Sequence, residues 1–100
     1  MNKKYEIAVW GEKYEVTLEV ASYAKPKRVA LQLWCDEGPF ATVSVNLPDE
    51  RLKNDKCFFV DTNNCPWAEE FLEKNGIAKP TGDFGYSGFC EYPEYELLAF

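Results

Sequence analysis

Asp61-Thr62-Asn63-Asn64-Cys65-Pro66-Trp67 is the stretch at which a series of strand-like segments hands over to the one convincing helix of this 100-residue chain. Asn and Asp side chains bond neighbouring backbone N–H groups, so Asp61, Asn63 and Asn64 are expected to set a turn. Asn64 or Cys65 then serves as the N-cap, and the second choice puts Pro66 at the first helical position, where its missing N–H costs nothing. Trp67, Ala68, Phe71 and Leu72 fall on one apolar stripe, while Glu69 and Glu70 sit early, where the helix dipole favours acids. Gly76 reads as the left-handed residue after the helix, with Leu72 and Ile77 as the hydrophobic pair of a Schellman stop. The stretch therefore reads as a structural joint that starts a helix of about 65–75 and begins its buried stripe with Trp67.

Upstream of the joint the pattern has period two. Tyr5, Ile7 and Val9 alternate with polar or small residues as far as Gly11, and Tyr14, Val16, Leu18 and Val20 alternate with Glu15, Thr17 and Glu19. After a loop around Pro26, Val29, Leu31, Leu33 and Cys35 form a third such run. Asp36-Glu37-Gly38-Pro39 is a turn. A fourth strand is predicted through Leu47, with Ala41, Val43, Val45 and Leu47 inward and Phe40 outward. Cys57 to Val60 reads as a short buried strand. Beyond the helix, Lys79 to Gly88 reads as loop, with glycines at 82, 85 and 88, and the tail from Phe89 to Phe100 is rich in aromatics and leucine, with Pro93 limiting part of it to an edge strand. The expected fold is α+β and one domain: an antiparallel meander of four to five strands, one helix packed on one face, and a C-terminal strand.

Composition narrows the chemistry. Seventeen acids against eleven bases give a net charge of −6, without the basic face that nucleic acid or an anionic membrane requires. No apolar run approaches the roughly 20 residues of a membrane helix, and Glu6 interrupts any signal-peptide core after Met1, so a cytoplasmic setting is expected. The four cysteines, at 35, 57, 65 and 90, contain no C-x-x-C pair and are expected to be free thiols. Histidine is absent, which removes Ser-His-Asp and Cys-His catalysis and mixed Cys/His zinc sites.

Cys65 is the candidate reactive thiol, because a helix N-terminus favours thiolate. No base can be named for it, and Asp61 nearby opposes ionisation. A cap or core role is the simpler reading. The oxygens of Asp61, Asn63 and Asn64 do not match a calcium loop, since no Glu stands at the twelfth position. The glycines at 82, 85 and 88 lack the lysine of a phosphate loop. No metal and no cofactor is expected.

One helix covers one sheet face, so the residues on the other face need an account. If four strands run alternately up and down, Trp10, Trp34 and Phe40 fall at one end of that second face, near acids at Glu12, Asp36 and Glu37. The C-terminal tail is expected to cover these aromatics; left open, they form an acid-rimmed protein-binding patch.

Three blocks, Val45-Asn46-Leu47-Pro48, Val60-Asp61-Thr62-Asn63-Asn64 with Pro66-Trp67, and Ser87-Gly88-Phe89-Cys90 with Tyr92-Pro93, resemble a family of small bacterial proteins of unknown function often encoded on phages and conjugative elements. The resemblance implies an intracellular, accessory role and transfers no catalytic residue. The function expected is that of a non-enzymatic protein-binding accessory protein, an inhibitor or adaptor of a mobile element. Alternatives are a thiol-dependent enzyme or redox sensor built on Cys65, and a structural homodimer or subunit.

Overall fold

The alternating segments form two antiparallel sheets rather than one meander. The computed structural model describes residues 4–23 and 28–98, so positions 24–27 of the loop around Pro26 and positions 99–100 of the tail lie outside the described residues. Strands β1 (Lys4–Val9), β2 (Glu12–Ser22), β3 (Val29–Cys35) and β4 (Gly38–Thr42) make the first sheet in that order. Tyr5, Ile7, Val9, Val16, Leu18, Leu31 and Leu33 are buried on its inner face, as period-two alternation requires. Strands β5 (Ser44–Val45) and β6 (Cys57–Val60) begin the second sheet, which is completed by β7 (Ala78–Ser87) and β8 (Cys90–Leu97) in the order β5-β6-β8-β7.

The predicted fourth strand breaks at Val43. Its N–H donates to the carbonyl of Leu31 (3.0 Å) and its carbonyl accepts from the N–H of Asp61 (2.8 Å), so this one residue is tied to both sheets. Buried Ser44 makes the corner workable: its Oγ accepts the N–H of Leu31 (3.0 Å) and bonds the Tyr23 hydroxyl (2.9 Å), standing in for a ladder partner. Val43 consequently fills the main core, while Leu47 joins Phe59 and Tyr92 in a smaller cluster on the far side of the second sheet.

Lys79 to Gly88, expected as loop, belongs to β7. Gly85 is required there by packing: a Cβ would lie 2.6 Å from Phe59 Cε1 and 2.9 Å from Leu47 Cδ1. β8 is an inner strand despite Pro93, which corrects the edge placement. The two-residue turn Gly88-Phe89 sets Pro93 opposite Phe84 in a pair without ladder bonds, so the proline nitrogen faces β6. Pairing with β6 ends one residue later, at Phe59–Glu94, and no ladder bond is lost.

Helix α1 (Ala68–Lys74) is shorter than the predicted 65–75. Cys65, Pro66 and Trp67 form turns ahead of it, and Trp67 occupies the cap position without a side-chain cap bond. Asp61 instead organises the approach, accepting the Asn64 N–H on Oδ1 (3.2 Å) and the Asn64 Nδ2 on Oδ2 (2.9 Å). The stop is as predicted: Gly76 has φ 66°, its N–H reaches the Glu73 carbonyl (3.2 Å), and the Ile77 N–H reaches Leu72 (2.9 Å). Ala68, Phe71 and Leu72 are buried. Phe71 meets Tyr5 of β1 edge-on at 5.9 Å, and the hydroxyl of buried Tyr95 on β8 contacts Glu69 (2.9 Å) and Glu73 (2.7 Å). The helix thus packs against both sheets, and a single hydrophobic cluster runs through all three.

Candidate functional site

The hairpin joining β1 to β2 turns on Trp10 and Gly11, both left-handed, with φ of 52° and 76°. A two-residue turn of this kind matches strand twist but asks for Gly, Asn or Asp, and a bulky residue there costs roughly 1–2 kcal/mol. Trp10 is the single described non-glycine residue with positive φ, and it is 72% exposed. Its ring rests against Phe40 (5.8 Å between centroids) and, edge-on, against Tyr14 (6.3 Å).

Phe40 reaches that position through a bulge. Ala41 lies opposite Leu33 and Pro39 opposite Trp34, leaving Phe40 as the extra residue without a partner. Its ring turns to the helix side, 5.1 Å from Tyr14 and 6.0 Å from Trp67, which continues to Phe71 at 6.1 Å. A line of rings therefore runs from the exposed tip at Trp10 to the buried helix face. Trp34 is not part of it. It stays on the outer face of the first sheet, where its Nε1 donates to Glu19 Oε1 (3.0 Å) above a cleft of about 60 Å³. The expectation that Trp10, Trp34 and Phe40 share a face fails because the bulge and the left-handed turn carry two of them to the helix side. Nor does the tail cover that outer face: its described residues form β8, inside the second sheet.

The acids expected at this end are exposed and close to the rings. The Tyr14 hydroxyl donates to Glu12 Oε2 (2.7 Å). That bond, then partial burial, then the charges of Glu12 and Glu37 push the hydroxyl above the ordinary tyrosine range. A depression of about 190 Å³ beside it is lined by Lys13, Tyr14, Glu15, Cys35, Asp36 and Glu37. Rings and carboxylates therefore adjoin, a combination suited to cationic side chains.

The joint has a different character. Cys65 is buried, with its thiol directed at the Thr42 carbonyl (3.6 Å) and its N–H bonded to the carbonyl of Asp61 (2.8 Å). Burial first, and then the Asp61 charge, push the thiol up, the opposite of what a nucleophile needs. The helix starts three residues later, so the dipole gives Cys65 no close support. Pro66, Asn63 and Asn64 are exposed, and Trp67 is half-buried between Phe40 and Phe71. All four cysteines are free, and among the described residues no group of three Cys, Asp or Glu is placed to hold a metal.

Some features had no clear sequence signal. Phe84, Tyr86 and Phe89 are exposed on the β7–β8 hairpin, Phe89 fully so; the Phe84-Gly-Tyr86 alternation is the one hint in a segment read as loop. Arg28 clamps the 47–50 segment through the carbonyls of Leu47 (2.7 Å) and Glu50 (2.6 Å). Glu94 is buried beneath that connection, accepting the Lys53 N–H (2.9 Å) and the Thr81 hydroxyl. Both charged side chains latch a loop that would otherwise have too few partners.

Fold and site together define a small α+β protein of mostly antiparallel strands, with an exposed aromatic ridge rimmed by acids. The chain belongs to the domain-of-unknown-function family DUF4313, whose signature spans residues 17–99. No curated protein and no solved structure matches it. Among the described residues no helix is long and apolar enough to cross a membrane.

Proposed function

We propose that the chain is a non-enzymatic protein-binding module whose contact face is the ridge Trp10–Tyr14–Phe40–Trp67, rimmed by Glu12, Asp36 and Glu37. The observation that carries this reading is Trp10 itself. A large aromatic is held in a strained backbone conformation at a turn where Asn or Gly would be free of cost, yet most of its ring faces outward rather than into the core. Strain retained at an exposed position, where the rings of Tyr14 and Phe40 cover only a small part of the side chain, is characteristic of functional positions. Tryptophan is also, with tyrosine and arginine, enriched among binding hot spots.

The acidic rim favours a partner with a basic surface and makes association sensitive to salt. The absence of histidine and the burial of Cys65 turn the reading away from a thiol enzyme. The three sequence blocks add a setting, that of an accessory protein of a bacterial mobile element acting as inhibitor or adaptor.

The test is affinity capture from a bacterial host lysate with wild type and Trp10→Asn side by side. A protein held by wild type at low salt, released at high salt and missing from the Trp10→Asn sample supports the reading. Equal capture by both, or none by wild type, defeats it.

A further inference from the structure

Among the described residues β1 is the outer strand of its sheet, and its far edge borders a groove of about 260 Å³ instead of another strand. Glu6, Ile7 and Ala8 line one side of this groove, and Trp67 at the cap of α1 and Phe71 within it line the other. The two-residue turn determines which backbone groups face it. Val9 and Glu12 flank the turn as a hydrogen-bonded pair, which makes Ile7–Tyr14 and Tyr5–Val16 bonded pairs as well. The N–H and C=O groups of Glu6 and Ala8 therefore point away from β2, toward the groove. Among the described residues no loop or helix bonds to them. β1 has neither a proline nor a bulge to blunt this edge.

Charge indicates what would fit. Glu6 lies directly across the ladder from Glu15, a like-charge pair, and the Lys4–Glu15 ion pair (3.3 Å) leaves Glu6 without a cation among the described residues. Glu70 adds a second carboxylate on the helix side, with Lys74 further along.

We infer that the groove accepts an extended segment of a partner protein, added to β1 as a further strand and alternating basic with apolar residues. Its backbone bonds the free groups of Glu6 and Ala8. Its basic side chains lie beside Glu6 on the outer face, and its apolar ones enter the groove against Ile7, Trp67 and Phe71. This rests on the reading of the chain as a protein-binding module and names the form of the partner; Trp67 belongs to both surfaces.

The probe is a capped peptide of about eight residues alternating Lys and Val, titrated into isotope-labelled protein and followed by amide and indole shifts, with a Glu–Val peptide as control. The expected result is shifts at Glu6, Ala8 and the Trp67 indole, with the Glu–Val peptide up to about fivefold weaker, the upper end of what one cross-strand charge pair is worth. Ala8→Pro removes an N–H that β2 does not use, so the hairpin is retained and binding of the Lys–Val peptide is lost. Should that variant fail to fold, Glu6→Lys reverses the preference between the two peptides. Shifts absent from β1 and α1, or binding unchanged in Ala8→Pro or Glu6→Lys, overturn the inference. So do β1 shifts that follow protein concentration alone with a doubled solution mass, since the occupant is then a second copy. The ridge is tested by Trp10→Asn and the groove by Ala8→Pro, so each reading fails separately.

Discussion

Replacing Trp10 by alanine and, separately, by asparagine divides the two contributions of this residue. With 72% of it exposed, little more than a quarter of the side chain is covered by Tyr14 and Phe40. Covered area of about 60 Å² at roughly 25 cal/mol per Å² makes the lost burial worth ~1.5 kcal/mol in either variant. Alanine keeps the cost of a left-handed backbone at φ 52°, whereas asparagine tolerates that region and recovers about 1 kcal/mol. Trp10→Asn should therefore unfold close to wild type and Trp10→Ala about 1 kcal/mol earlier, a gap of roughly 4–8 °C in melting temperature for a domain of this size. Urea titrations followed by circular dichroism, with equal slopes for the three proteins, provide the measurement. Equal midpoints for the two variants would show that the turn exacts no conformational cost, and the argument for a functional Trp10 would go with it.

Further outcomes follow from the core. Gly85→Ala forces a methyl into Phe59 and Leu47 and should cost about 1–3 kcal/mol by chemical denaturation; wild-type stability would contradict the packing of β7 on the smaller cluster. Trp67→Ala, a full core truncation on the sequence pattern, should cost only about 2 kcal/mol because the ring is half-buried, and a thermal melt will tell the two magnitudes apart. Burial, then the bonds to Glu73 and Glu69, raise the Tyr95 hydroxyl above its ordinary value near 10, so above that pH the unfolded chain releases a proton that the native protein keeps. Stability should fall with rising pH from about 10 upward, by up to ~1.4 kcal/mol per pH unit from this group, with no effect below. Tyr95→Phe should flatten that slope in denaturation curves taken across the range, and an unchanged slope would remove Tyr95 as its source.

The strands of the first sheet and the helix stop could be read directly, because each depends on neighbours two to five residues away: alternation in β1 to β3, and Leu72, Gly76 and Ile77 at the end of α1. The division into two sheets could not. It turns on Val43, whose two backbone groups bond Leu31 and Asp61, residues distant in sequence. β7 was hidden by its glycines, which look like turn residues until Phe59 and Leu47 are seen to need the space at Gly85. At the candidate site the chain itself marks Trp10, Phe40, Glu12, Asp36 and Glu37, whereas its pattern puts Tyr14 and Trp67 in the core and Trp34 beside Trp10, where the structure does not have it.

Local chemistry by itself determined strands β1 to β3, the turns between them, the helix stop and the exclusion of histidine-based catalysis, since backbone preference and residue type act over a few positions. Only the tertiary structure decided that the strands divide at Val43, that a bulge at Phe40 and a left-handed turn at Trp10 bring those rings to the helix side, and that Cys65 is sealed from solvent. For Val43 and Cys65 the physical reason is contact with residues distant in sequence, and for the two rings it is register. Which face a side chain takes depends on register, and one unpaired residue or one positive φ reverses it, a change that no alternation pattern records.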